Sequence, residues 1–130
     1  MTSRGIANPI VITGDWHSTF VNDLKANFED DASPTVGTEF VVTSISSIGD
    51  GGGYWDYYGP MIPLNPHIRL FDGDRRGYQR AEITSDKWRV DVQMVDTIRS
   101  ETAGVSTFAS FSSRTANPAP SSGSETQLHT

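Results

Sequence analysis

The chain has 130 residues, 35% of them hydrophobic, and a formal net charge of −6 at pH 7. This length supports one modest domain with little core to spare. The acidic balance and the scattered basic residues argue against a nucleic-acid-binding surface. Cysteine is absent, which excludes disulfides and thiolate metal ligands. No apolar stretch is long enough to span a bilayer, and the N-terminal residues lack the apolar region of a signal peptide.

The first predicted element is a short buried strand over residues 10 to 12 that opens into a loop at Gly14. Asp15 and His17 follow directly. In an extended segment, side chains two residues apart point the same way, so this carboxylate and imidazole are predicted to form half of a metal site. Such donors suit zinc, iron or manganese, and the carboxylate also suits calcium. Loop capping or a surface hydrogen bond is the alternative for both residues.

Residues 18 to 28 predict a short amphipathic helix, because four apolar residues recur at helical spacing: Phe20, Val21, Leu24 and Phe28. Pro34 and the preceding acidic run should end this helix. The acidic run, residues 29 to 31, either attracts a cation or forms a solvated loop.

Residues 38 to 45 are rich in β-branched side chains and predict a strand. Glu39 lies either on the solvent face of this strand or beside a metal ligand.

Residues 49 to 66 combine glycines, prolines and four aromatic residues within positions 54 to 58, so they predict a long irregular loop. The loop is interpreted as an aromatic flap over a site or over a missing part of the protein. A P-loop is excluded, because no Gly-Lys-Ser/Thr follows the glycines.

His67 precedes a predicted strand over residues 68 to 71 and is either structural or a site residue. A turn follows at residues 72 to 74. Arg75 and Arg76 come next, and they either bind a phosphate anion or only solvate the turn.

Residues 78 to 95 alternate between apolar and polar on both sides of a short polar turn, which predicts a β-hairpin with the Trp88 face buried. Residues 105 to 111 predict one more strand. Residues 113 to 130 are rich in Ser, Thr, Pro, Gly and Ala and predict a flexible tail, in which His129 has no defined role.

Five segments in the same order closely resemble the C-terminal part of the alkaline phosphatase D family of PhoD-like phosphatases. The likeness covers residues 8 to 112 and rests on Asn-Pro-Ile-Val-Ile-Thr-Gly-Asp-Trp-His-Ser (8 to 18) with Asn-Asp-Leu-Lys (22 to 25), residues 36 to 47, Asn-Pro-His-Ile (65 to 68), Arg-Gly-Tyr (76 to 78) and the Trp88 strand. The family is similar to the calcineurin-like metallophosphoesterases.

The resemblance implies an α+β domain, mostly antiparallel β-sheet with one short helix, like the C-terminal portion of a calcineurin-like metallophosphoesterase sandwich. It implies Asp15 and His17 as metal ligands, with His67 and Arg76 as possible neighbours in the site. Calcium, iron, zinc or manganese would be the metal and a phosphate ester the substrate. Family members are often secreted or periplasmic.

The family's earlier metal-binding motifs are absent from this sequence, and a two-metal phosphoesterase needs one ligand shell for both ions. The chain is therefore expected to be inactive without the missing N-terminal half. The alternative is a non-catalytic β-rich binding or interaction domain, with residues 54 to 58 as its contact surface.

Overall fold

The computed structural model describes residue 6 and residues 9 to 114. Within these residues the chain forms seven strands and two short helices. In chain order they are β1 Ile10–Thr13, β2 Thr19–Lys25, β3 Thr35–Val41, α1 Tyr54–Tyr58, the 3-10 helix η1 Gly59–Leu64, β4 Ile68–Asp72, β5 Gly77–Ile83, β6 Lys87–Val95 and β7 Val105–Arg114. Neither helix is long and apolar enough to cross a membrane.

The strands form two sheets. The first sheet has the order β1-β3-β2-β4, in which β1 and β3 are parallel and the other pairs are antiparallel. The second sheet has the order β5-β6-β7 and is antiparallel throughout. Mostly antiparallel sheet with one short α-helix confirms the predicted fold class.

The core lies between the two sheets. Val21 and Phe40 of the first sheet pack against Val90 of the second, and all three are buried. A second group of buried residues, made of Val92, Met94 and Ala109, continues this core along the second sheet. Leu70 of β4 packs against both groups. One face of each sheet is thereby removed from water, which is the main stabilising contribution in such a small sandwich.

The predicted hairpin is confirmed as β5 and β6. Its tryptophan-bearing face supplies the core residues of β6, as expected. The opposite face of β6 is also covered at Asp91, although it carries polar residues. The Asp91 carboxylate accepts hydrogen bonds from Arg80 at 2.7 Å, Arg89 at 2.9 Å and Ser110 at 2.6 Å. Three donors satisfy a carboxylate that would otherwise be costly to bury.

The predicted helix over residues 18 to 28 is wrong, because this segment forms strand β2. The strand lies between β3 and β4 and packs apolar side chains on both faces. Val21 enters the core between the sheets, whereas the ring of Phe20 packs on Phe71 with 4.7 Å between centroids. A strand with apolar residues on both faces loses strict alternation, and its spacing then imitates a helix. The acidic residues 29 to 31 that follow are exposed in a turn.

The prediction of irregular structure over residues 49 to 66 is also wrong, because α1 and η1 form there. Gly53, with a φ of 84°, precedes the first turn of α1. Tyr54 and Tyr58, four residues apart, stack with 6.2 Å between their rings. Trp55 and Tyr58 both pack on Phe71, at 5.5 Å and 6.1 Å. Tertiary packing on the outer face of the first sheet therefore stabilises a helix that the local glycines and prolines disfavour.

The remaining predicted strands are confirmed with shifted bounds, but β1 is not the buried strand that was predicted: it lies at the edge of its sheet, and Ile12 is 60% exposed. The strand expected over residues 38 to 45 begins three residues earlier, as β3. The strand expected at residues 68 to 71 is β4, and the turn after it is present. The last strand, β7, extends to residue 114. The rest of the predicted tail, including His129, lies outside the described residues.

Candidate functional site

The loop between β1 and β2, residues 14 to 18, carries both candidate metal ligands. Asp15 has a φ of 73° and His17 a φ of 59°, so both adopt the left-handed conformation. The expected extended geometry is therefore wrong, since left-handed residues interrupt the alternation of side-chain directions along a strand. Asp15 is exposed, His17 is half-buried, and Ser18 is fully buried at the start of β2.

This loop is anchored at the end of two parallel strands. β1 and β3 run side by side, and the N–H of Val42 donates to the carbonyl oxygen of Thr13 at 3.0 Å. The chain that leaves β3 therefore lies alongside the loop. The hydroxyl of Thr43, which is buried, lies 3.1 Å from the carbonyl oxygen of His17 and 3.2 Å from that of Arg75. Its single proton serves one of these acceptors at a time.

Arg76 reaches the same loop from the segment between the two sheets. Its side chain is 1% exposed, the largest of the fully buried side chains. Nη1 donates to the carbonyl oxygen of His17 at 2.6 Å and to the Thr43 hydroxyl at 3.2 Å. Nε donates to the carbonyl oxygen of Gly49 at 3.0 Å. For Arg76, the alternative of an exposed arginine that only solvates the turn is wrong.

The backbone of Arg76 is fixed to the second sheet. Its carbonyl oxygen accepts the N–H of Val95 at 2.9 Å. At the next position, a side chain on Gly77 would overlap the carbonyl oxygen of Gln93, so only glycine fits this close approach of the two backbones. The backbone position of Arg76 is therefore set by these contacts with strand β6.

The preceding arginine is also paired. Asp72 accepts the backbone N–H groups of Asp74 at 3.1 Å and Arg75 at 2.9 Å through Oδ1, which closes the predicted turn. Its Oδ2 accepts the guanidinium of Arg75 at 2.6 Å and 2.8 Å. That guanidinium also lies 4.0 Å above the centre of the Phe108 ring. Arg75 thus joins the turn to strand β7 of the second sheet.

Asp50 fixes the glycine-rich segment, residues 49 to 53, next to Arg76. Its carboxylate accepts the N–H of Ile98 at 2.6 Å and the hydroxyl of Thr97 at 2.9 Å, and it pairs with Arg99 at 3.0 Å. The hydrogen bonds from Ile98 and Thr97 lower the pKa of Asp50 below its usual value, and the charges of Arg99 and Arg76 act in the same direction. The neighbouring Gly51 packs so closely that a Cβ there would come within 3.2 Å of the Arg76 guanidinium carbon.

A groove of about 340 Å³ opens beside the candidate ligand loop on the outer face of the first sheet. Its lining residues come from the loop, the sheet and the start of β4: Gly14, Trp16, Phe20, Asn22, Val41, His67 and Ile68. His67 is half-buried, and its ring meets Phe28 edge to face at 5.1 Å. The structure thus brings His67 to the same opening as the residues on either side of Asp15.

The aromatic helix α1 also reaches this loop. Trp16, which lies between the two candidate ligands, contacts Tyr58 with 5.9 Å between ring centroids. Tyr58 in turn packs on Phe71 of the sheet. Helix α1 therefore covers part of the sheet face beside the candidate site, consistent with its interpretation as an aromatic flap.

Glu39 lies deeper on the same face of the sheet. Its carboxylate accepts the amide of Asn22 at 2.9 Å and lies 3.5 Å from the hydroxyl of Thr13. The other amide atom of Asn22, Oδ1, is buried and has no hydrogen-bond partner among the described residues. Glu39 is therefore tied to the end of β1 through Thr13, one residue before the loop begins.

These placements separate the predicted site residues into two groups. Arg76 contacts the peptide of His17, whereas His67 lies across the groove. Among residue 6 and residues 9 to 114, no three His, Asp or Glu side chains are clustered so that they could hold a metal ion. Thr43 was missed by the sequence reasoning, because a single threonine after an apolar strand gives no signal of its contact with another loop.

The two-sheet sandwich with a carboxylate and an imidazole on the loop after β1 defines an α+β domain with a candidate pair of metal ligands. A model of the PhoD-like phosphatase family matches residues 1 to 92. The chain belongs to this family, as the resemblance of its five segments predicted. The comparisons do not favour the alternative of a non-catalytic β-rich binding or interaction domain.

Two known proteins show how much of the family the chain represents. It is 37% identical over 109 residues to alkaline phosphatase D of Bacillus subtilis (strain 168), covering 84% of this chain and 18% of that protein. It is also similar to a solved structure described as the structure of PhoD, with a TM-score of 0.79 and 32% identity over 98% of this chain and 24% of the other. The chain spans less than a quarter of the length of either protein.

Proposed function

We propose that this chain supplies part of the metal site of a phosphate ester hydrolase, with the Asp15 carboxylate and the His17 imidazole as two of its ligands. The observation that carries the proposal is their position in a chain of the PhoD-like phosphatase family. Both residues lie on a short loop at the end of a parallel strand pair, and the carbonyl oxygen of His17 accepts partly buried hydrogen bonds from Thr43 and Arg76.

The donor set fits a metal ion but does not complete its coordination. One carboxylate and one imidazole suit iron, zinc or manganese, and the carboxylate alone suits calcium. These are two donors where a stable site requires four or more. The remaining ligands must therefore come from protein outside the described residues. When bound, the metal would polarise the phosphoryl oxygens and lower the pKa of an attacking water.

The other residues have roles set by their contacts. The guanidinium of Arg76 is buried beneath the loop, so it supports the loop rather than meeting a phosphate from solvent. Trp16 and His67 border the groove next to Asp15, where the alcohol part of an ester would lie beside the metal. Monoesters and diesters could both place a phosphoryl group beside this groove.

The purified chain is expected to show no turnover of an aryl phosphate with added calcium, iron or zinc, because two ligands do not hold both ions of a two-metal site. Turnover that survives repurification and is lost in Asp15→Ala would contradict this expectation.

The ligand role itself is tested in a chimera, in which residues 9 to 112 replace the matching segment of the Bacillus subtilis enzyme. Circular dichroism first establishes that each chimera is folded. Asp15→Ala and His17→Ala in the chimera should each lower turnover about 100-fold or more, since a lost metal ligand removes several kcal/mol of transition-state stabilisation. Asp31→Ala, a change in the exposed acidic turn, is the matched control. A chimera that keeps its activity without Asp15 and His17 would refute the proposal.

A further inference from the structure

Arg76 is unusual because its charge is buried with no carboxylate at ion-pair distance among the described residues, although the Asp50 carboxylate feels its charge from further away. No ion pair involves Arg76 among the described residues, and its Nη2 is buried without any hydrogen-bond partner. Burying an unpaired guanidinium costs free energy, and that cost is only partly offset by hydrogen bonds to neutral groups. The donors of this side chain are directed instead to backbone carbonyls of two loops.

The shortest of these hydrogen bonds goes to His17. Arg76 Nη1 and the Thr43 hydroxyl lie 2.6 Å and 3.1 Å from the same carbonyl oxygen. They also bond to each other at 3.2 Å, so the three groups form a closed triangle. A hydrogen bond from a charged donor is about twice as strong as one between neutral groups. The peptide between His17 and Ser18 is therefore held by one charged and one neutral donor.

The loop requires such support because its backbone is strained. Asp15 and His17 both have φ values in the left-handed region, which costs a non-glycine residue on the order of 1–2 kcal/mol. Such a conformation persists only where surrounding contacts enforce it. In this structure the enforcing contacts on His17 come from Arg76 and Thr43.

We propose that Arg76, acting with Thr43, is a positioning residue that holds the His17 peptide in the left-handed conformation and thereby presents the Asp15 and His17 side chains to a metal ion. The inference rests on the proposed function for its metal and on the hydrogen bonds alone for its conformational part. Arg76 touches neither the metal nor the substrate. It acts from the junction of the two sheets, where its own backbone is fixed by Val95.

Four variants separate positioning from simple filling of space. Arg76→Met keeps an unbranched apolar stem without the guanidinium donors, and Arg76→Lys restores one charged donor. Thr43→Val keeps the shape of the side chain but removes the hydroxyl. Arg75→Met is the matched control, because it removes the same charge one residue earlier, where the guanidinium bonds Asp72 and not the loop.

The test is backbone NMR of the labelled chain, with and without Mn²⁺. Arg76→Met and Thr43→Val should move the Asp15 and His17 backbone shifts out of the left-handed range. They should also raise the Mn²⁺ concentration that broadens the Asp15 signals, by about tenfold or more for Arg76→Met and less for Thr43→Val, as expected for a group that orients a ligand. Arg76→Lys should recover part of both effects, and Arg75→Met should change neither.

The inference would be overturned if the backbone chemical shifts of His17 stay in the left-handed range in a folded Thr43→Val or Arg76→Met chain. If Arg76→Met does not fold, Thr43→Val alone decides, because it leaves the buried guanidinium in place. If the unmodified chain shows no Mn²⁺ broadening at Asp15 or His17, the proposed metal function fails. The positioning role is then still judged by the backbone shifts of the variants.

Discussion

The indole ring of Trp55 lies parallel to the ring of Phe71, with 5.5 Å between their centroids and 19° between their planes. Phe71 also contacts Phe20 and Tyr58, at 4.7 Å and 6.1 Å. Through these contacts one buried residue of β4 joins helix α1 to the outer face of the first sheet. The helix has only five residues and cannot be stable without such packing.

Phe71→Ala should therefore release α1 from the sheet. We expect the free energy of unfolding to fall by about 3–5 kcal/mol, the usual cost of truncating a buried phenylalanine. Tryptophan fluorescence should also shift to the red as the covered half of Trp55 enters water. Tyr57→Ala is the control, since Tyr57 is 70% exposed, and it should cost below about 1 kcal/mol. Equal losses for the two variants in urea unfolding would show that Phe71 does not hold the helix.

The pH dependence of stability should depend on Asp91. Burial raises the pKa of this carboxyl, but hydrogen bonds from Ser110, Arg80 and Arg89 outweigh burial and lower it from 3.8 to about 2. Because the folded pKa is below the unfolded value, the stabilising contribution is complete above pH 4. It is lost as the pH falls from about 4 to about 2, and it amounts to roughly 2 kcal/mol.

Asp91→Asn tests this contribution by removing the titration. The variant should be less stable than the unmodified chain at pH 7 by about 1–3 kcal/mol, since the arginine and serine donors lose a charged acceptor. The difference between the two proteins should shrink between pH 4 and pH 2. Asp31→Asn, in the exposed turn, should leave the acid profile unchanged. A constant stability difference across this pH range would contradict the assignment.

The outer surface of α1 and η1 should promote association. Trp55, Met61 and Leu64 are all at least half exposed, and Leu64 is 79% exposed. Exposed apolar side chains on neighbouring helices favour contact with other apolar surfaces. Sedimentation velocity should therefore show association that increases with concentration and is reduced by Leu64→Lys. Ile83→Lys, at an exposed apolar residue of the hairpin, should not reduce it. A chain that stays monomeric at every concentration would contradict this prediction.

The sequence predicted elements well where one physical signal dominated. The hairpin of β5 and β6 has regular alternation, and its bounds were predicted within one residue. Strand β2 was mistaken for a helix because its apolar residues serve both the core and the contact with Phe71. Helix α1 was missed because its stability comes from that same ring, which is distant in sequence. Neither error could be corrected from local residues alone.

The candidate site shows the same division. Asp15 and His17 were predicted as metal ligands from residue type and spacing, the family resemblance implied the same pair, and their ligand role stays a prediction. Their left-handed backbone was not predicted, because no local signal shows that the His17 carbonyl oxygen bonds Thr43 and Arg76, which lie 26 and 59 positions away. A buried arginine bonded to a carbonyl of another loop has no sequence signature, since most arginines after a turn are exposed.

The central claim is that Asp15 and His17 bind one metal ion together. The most direct measurement is the loss of the free Mn²⁺ signal in electron paramagnetic resonance as purified chain is added at constant pH. The unmodified chain should bind Mn²⁺ weakly. Asp15→Ala, His17→Ala and the double variant should each weaken binding by about tenfold or more, a change of 1.4 kcal/mol or more, and Asp31→Ala should not. Equal Mn²⁺ binding by the unmodified chain and the double variant would contradict the claim.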